Sequence, residues 1–90
     1  MEKQLFEPGQ ILATPGALGI AERGINLLPY LIRHLKGDWG ELCEDDKKEN
    51  DFSVKNGFRI LSAYNTPGGR LWVITEADRS VTTFLLPEEY

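Results

Sequence analysis

The chain is short of the side chains that most often carry chemistry, with one cysteine, one histidine and one methionine among 90 residues. Cys43 alone cannot form an internal disulfide. Cys43 and His34 together cannot supply the four Cys or His ligands of a structural zinc site, so no metal and no other cofactor is expected. Positive charge is scarce as well, 10 Lys and Arg against 14 acids, for a formal charge of −4. That balance disfavours nucleic-acid phosphates and anionic lipid, so neither direct nucleic-acid binding nor membrane association is expected, and a basic protein partner is favoured. Long apolar runs are missing too. Met1-Glu2-Lys3-Gln4-Leu5-Phe6-Glu7 alternates charged and apolar residues and lacks the apolar stretch of about 7–15 residues found in a secretory signal. Nothing approaches the roughly 18 apolar residues of a membrane span, which points to a cytoplasmic protein. With 41% apolar and 27% charged residues, residues 1–90 fit one small globular domain, its first eight residues loosely attached.

The hydrophobic period changes along the chain. Gln10 to Ala13 is short and extended, stopped by Thr14-Pro15-Gly16, where Thr14 suits an N-cap and Pro15 the first helical position. A helix to about Arg23 follows, held by Leu18, Ile20 and Ala21, with Gly24 closing it in a left-handed conformation. Leu28, Leu31, Ile32 and Leu35 form one helical stripe, capped by Asn26 and closed by Gly37. A third helix is predicted over Glu44 to Asn56, with Cys43 at the cap, acids in its first turn, and Leu42, Phe52 and Val54 as its large apolar members. From Phe58 onward β-branched and aromatic residues predict strands over 58–64, 70–75 and 81–86, separated by Asn65-Thr66-Pro67-Gly68-Gly69 and Glu76-Ala77-Asp78-Arg79. Loops of that length favour an antiparallel meander, with Leu61, Trp72, Ile74, Phe84 and Leu86 on the face that the helices cover. The fold class is therefore α+β: two to three N-terminal helices on a three-stranded antiparallel C-terminal meander. Trp39 and Trp72 are both expected in the core.

Several segments carry a family resemblance: Gly9-Gln10-Ile11-Leu12-Ala13-Thr14-Pro15-Gly16-Ala17, Arg33-His34 with Gly37-Asp38-Trp39-Gly40, Arg59-Ile60-Leu61-Ser62-Ala63-Tyr64, Trp72-Val73-Ile74-Thr75-Glu76-Ala77, and Thr82-Thr83-Phe84-Leu85-Leu86-Pro87-Glu88-Glu89-Tyr90. In this order they resemble the small bacterial "plasmid-related" proteins over nearly the whole chain after Glu7. The resemblance implies a bacterial source and the company of mobile elements, and supplies no established activity or catalytic residues. Some relatives bear a type I restriction label, which does not transfer to a chain too short for a methyltransferase or motor domain. Cys43 departs from the polar capping residue that the resemblance leads one to expect.

Two sets of residues compete as a site. His34, with Asp38 four residues on and Trp39 beside it, can be drawn as a general base oriented by a carboxylate. A histidine in a last helical turn can equally cap carbonyls and steady the Gly-Asp-Trp-Gly corner, and this is the favoured reading. Cys43 lies in the most acidic stretch, where negative neighbours suppress the thiolate, so no nucleophile is assigned to it. Glu76, Asp78 and Arg79 share a predicted hairpin loop, where carboxylates could meet a cation or a basic side chain, or where Asp78 could serve the turn and pair with Arg79. Thr14 to Gly19 lacks the glycine pattern and lysine of a phosphate loop. The charge distribution is more informative: residues 38–51 hold seven acids against Lys47 and Lys48, a local charge of −5 that leaves the remainder at +1. The favoured function is thus a non-enzymatic interaction protein, its acidic surface of Asp38, Glu41, Glu44, Asp45 and Glu49 facing a basic partner, in the setting of mobile elements or DNA-handling and defence machinery. The alternative is a small enzyme or metabolite-binding protein built on His34, Asp38 and Glu76. A substrate-sized pocket and a shifted His34 pKa would favour that alternative.

Overall fold

Local chemistry sets the helix ends in the computed structural model, which describes residues 3–90. Helix α1 (Pro15–Glu22) starts behind Thr14, whose Oγ1 accepts the Ala17 N–H at 3.3 Å. It closes toward Gly24, whose φ of +89° suits a residue without Cβ. Helix α2 (Leu28–Leu35) carries Pro29 in its first turn, and Asn26 accepts the Leu28 N–H at 3.0 Å from one position outside the Leu27 cap. Helix α3 (Glu44–Asn56) opens on Glu44, Asp45 and Asp46 and stops at Gly57 in the left-handed region, while Cys43 stands at its cap with no side-chain bond.

Strands β2 (Ile60–Thr66), β3 (Gly69–Thr75) and β4 (Val81–Leu85) form the predicted antiparallel meander, and a short 3-10 turn, Pro87–Glu89, follows. The sheet, however, has four strands. Gln10–Ala13 is strand β1, paired in parallel with β4, so the order is β1-β4-β3-β2 and the sheet is mixed. That addition corrects the three-stranded expectation. A parallel pair joined across most of the chain leaves no turn signal to read.

The predicted covered face is also corrected. Trp72 pairs with Leu85 and Val73 with Phe84, so Trp72 and Ile74 stand one residue out of phase with Phe84. Leu61, opposite Ile74, shares their face. The helices instead cover Tyr64, Leu71, Val73 and Phe84, against Ala17 and Ile20 of α1. Trp72 is half-buried on the other face, where its ring meets Tyr90 edge-on at 5.5 Å. Trp39 is 3% exposed, in a second cluster with Phe6 and Ile60. Phe6 in that cluster, and the Leu5 N–H donating to the Leu35 carbonyl at 2.8 Å, tie down a segment expected to be loose. Met1 and Glu2 of that segment lie outside the described residues.

Four residues predicted to pack, Leu18, Leu28, Ile32 and Phe52, are 43–55% exposed. For α2 the reason is a rotation of its inward stripe. Leu27, Tyr30 and Leu31 pack on the first cluster, and His34, one turn further on the same side, is fully buried. Polar partners in the sheet admit the histidine, and the stripe follows it. Gly40 shows another close approach: its φ is +77°, it forms a parallel bridge to Ala63, and a Cβ there would overlap the Ala63 carbonyl.

The two tryptophans should separate in a stability measurement. Trp39→Ala is expected to cost about 3–5 kcal/mol as a full core truncation, and Trp72→Ala clearly less. Urea unfolding of both variants checks this, and equal losses would contradict the packing described.

Candidate functional site

His34 is joined to a buried polar chain. Its Nδ1 lies 2.5 Å from Ser62 Oγ of β2 and its Nε2 2.9 Å from Thr75 Oγ1 of β3. Thr75 Oγ1 is 2.7 Å from Thr82 Oγ1 of β4, and Thr82 donates to the Pro8 carbonyl at 2.7 Å. The direction of every proton follows from that last bond. Thr82 has spent its hydrogen on a carbonyl, so it accepts from Thr75, and Thr75 accepts from Nε2–H. The neutral ring then bears no proton on Nδ1, which accepts from Ser62. Burial, and secondarily the charge of Arg79, lowers the His34 pKa to about 3. The shift thus belongs to a satisfied interior group, with Phe6 edge-on at 5.3 Å and Trp39 at 5.9 Å enclosing the ring.

Asp38 is engaged elsewhere. It accepts Arg33 Nε at 2.7 Å and Arg33 Nη2 at 3.3 Å, and the Gly40 N–H at 3.2 Å. The Arg33 hydrogen bond holds its carboxyl below the usual range, and Arg33 also lies 4.6 Å from the centre of the Tyr64 ring. Tyr64 donates to the Asp38 carbonyl at 2.7 Å, and burial pushes its phenol well up. Trp39 donates from Nε1 to Asp51 at 3.0 Å, tying the corner to α3. The corner is locked by groups already partnered within it.

Glu76 and Asp78 border an open depression of about 390 Å³ with Ala77 and Ser80. Asp78 accepts the Ser80 N–H at 3.0 Å, the turn bond expected of it. Arg79, whose φ is +60°, does not pair with Asp78. It donates to the carbonyls of Phe58, Glu76, Ala77 and Ser53 at 2.7–3.1 Å, clamping the end of α3 to the hairpin. Among the described residues, His34, Asp38 and Glu76 share no hydrogen bond, and no group of three or more His, Cys, Asp or Glu is placed to hold a metal ion.

The acidic run forms a surface. Glu41, Glu44, Asp45 and Glu49 are all exposed, and Glu44 meets Lys47 at 3.8 Å. Helix α3 docks on β2 through polar groups: Asn50 donates to the Leu61 carbonyl at 2.6 Å and accepts its N–H at 3.3 Å. Beside that contact lies a groove of about 280 Å³ lined by Leu42, Asp46, Glu49, Asn50, Arg59 and Leu61. Arg59 in that lining donates to the Tyr90 hydroxyl at 2.5 Å, with its guanidinium 5.4 Å from the ring centre. Among the described residues, Asp46 and Glu49 have no ion-pair partner.

Sequence reasoning found the acidic run but missed Ser62, Thr75 and Thr82 as partners of His34, and Leu42, Leu61 and Arg59 as walls of the groove. Polar residues within otherwise apolar strands were the signal for the histidine's partners, and the groove walls, brought together across the Gly57 turn, had none. No family model, no curated protein and no solved structure matches the chain. No helix among the described residues is long and apolar enough to cross a membrane.

The buried histidine makes stability depend on pH. Its folded pKa of about 3 lies below the unfolded value of 6.5, so between those values the unfolded chain binds the extra proton. Acidification therefore destabilises the fold below pH 6.5, by about 1.4 kcal/mol per pH unit while His34 alone is titrating. Urea midpoints between pH 7 and 5, above the titration of ordinary carboxylates, check this, and a flat profile would contradict the buried neutral ring.

Proposed function

We propose that the chain is a non-enzymatic interaction protein whose α3 face receives a basic segment of a protein partner. The groove between α3 and β2 carries this reading. Leu42 and Leu61 supply apolar wall and the carboxylates of Asp46 and Glu49 stand beside it, which suits a lysine or arginine whose stem lies on apolar surface while its head meets carboxylate. Glu41, Glu44 and Asp45 extend the negative field around the groove and would steer a basic partner toward it. Asp38, paired with Arg33, contributes less than its place in the run suggests.

Partners whose own working surface is basic include proteins that handle nucleic acid. That chemistry accords with the proposed kinship to plasmid-related bacterial proteins and with a modulating role in DNA-handling or defence machinery. The catalytic alternative has less support. His34 is enclosed, Asp38 is committed to the corner, and Glu76 borders an open depression.

An arginine-rich peptide titrated into the labelled protein tests the proposal. Amide shifts should move at Leu42, Asp46, Glu49 and Leu61, and binding should weaken as salt rises. Asp46→Lys with Glu49→Lys should abolish it, while Glu44→Lys with Asp45→Lys, outside the groove, should mainly slow association. Shifts that spread evenly over all acidic positions, or affinity unchanged by the groove pair, would reduce the face to a solvated surface.

A further inference from the structure

The two edges of the sheet are treated differently. The outer edge of β2 is closed: the Ala63 N–H donates to the Trp39 carbonyl at 3.2 Å, the Ala63 carbonyl accepts from Glu41 at 2.6 Å, and Asn50 brackets Leu61. The outer edge of β1 is open. Gln10 donates to Ser80 at 2.9 Å and Thr14 to Phe84 at 3.0 Å, so strand alternation turns Gln10, Leu12 and Thr14 toward β4. The backbone N–H and C=O groups of Ile11 and Ala13 then point away from the sheet, and no hydrogen bond reaches them there among the described residues.

The usual guards of a free edge are missing from β1, which has neither a charged residue nor a proline within it. The sequence from Pro8 to Ala21 holds no charged residue at all. Ile11, Leu12 and Leu18 within it are 43%, 45% and 50% exposed. Charge therefore selects the occupant. A basic partner gains little at a strand with no charge of its own, where the nearby Glu89 carboxylate is already held by Thr14 and the Gly16 N–H. Two copies of a chain of net charge −4, by contrast, repel least where neither strand bears charge.

We propose that β1 pairs with β1 of a second copy, antiparallel, about a two-fold axis at Leu12. Ile11 of each copy then stands opposite the partner's Ala13 and exchanges both backbone hydrogen bonds with it, while Leu12 meets the partner's Leu12 between those pairs. The two four-stranded sheets become one continuous sheet. Because β1 and β2 lie at opposite edges, both acidic grooves stay open at the ends of the dimer. So short a strand buries less than the roughly 800 Å² per partner of a standard stable interface, which makes the association weak and concentration-dependent.

Sedimentation equilibrium of the full chain from micromolar to millimolar concentration tests this. The mass should rise toward twice 10.2 kDa. Leu12→Lys and Leu12→Glu, at an exposed position, should each keep the wild-type circular dichroism and melting curve and remain monomeric, and mixing them should restore a dimer. Ala13→Pro removes an outward N–H without touching the β4 ladder and should raise the dimer Kd about tenfold or more. Wild-type protein that stays monomeric throughout, Leu12→Lys that dimerises like wild type, or a foreign strand captured at β1 by a monomer would overturn the proposal.

Discussion

The buried hydrogen-bond chain through His34 is the constraint from which the rest of the architecture follows. An imidazole taken out of water is tolerated only if both nitrogens are partnered, because each unmatched buried polar group costs on the order of 1–3 kcal/mol. Here the partners come from three successive strands and end on the Pro8 carbonyl. One ring thus sets how α2 sits on the sheet, while the last hydroxyl fixes where the N-terminal segment crosses β4. The rotation of α2 that leaves Leu28 and Ile32 outside is the visible consequence.

Polar ties also explain how α3 can be acidic and still packed. Apart from partly buried Val54, it is fastened through Asn50, the Asp51 carboxylate and the Ser53 carbonyl rather than by a broad apolar stripe. Arg79 completes the attachment by giving its guanidinium to backbone carbonyls instead of to a carboxylate. The remaining circumference of α3 is free to carry charge, and Arg59, hydrogen-bonded to Tyr90, stands as the basic wall of the groove beside it. Asn50 serves both purposes, docking α3 on β2 and lining the groove proposed for recognition.

The C-terminus performs a similar economy. Glu89 accepts from Thr14 at 2.6 Å, from the Gly16 N–H at 2.9 Å and from the Leu86 N–H at 2.8 Å. A carboxylate from the chain's end thus occupies the positive end of α1, with the Thr14 hydrogen bond holding its pKa down. Gly16 makes room for it, since a Cβ there would crowd the Glu89 carboxylate.

What the sequence by itself determined is local: the three helices, the three antiparallel strands, the acidic run over 38–51 and the Asp78 turn. These depend on caps, glycines, period and neighbouring charge, all within a few residues of one another. Tertiary structure decided the fourth strand, the phase of the sheet, the burial of His34 and the groove walls. Parallel pairing of β1 with β4 has no turn to announce it, and a one-residue change of strand phase exchanges the two faces, moving Trp72 outward and Ser62 and Thr75 inward. Once those hydroxyls faced the interior, a histidine that reads as a helix end could become the centre of the fold. The groove likewise joins Leu42, Asp46 and Glu49 to Arg59 and Leu61 across the turn at Gly57, a juxtaposition set by how α3 docks and not by spacing along the chain.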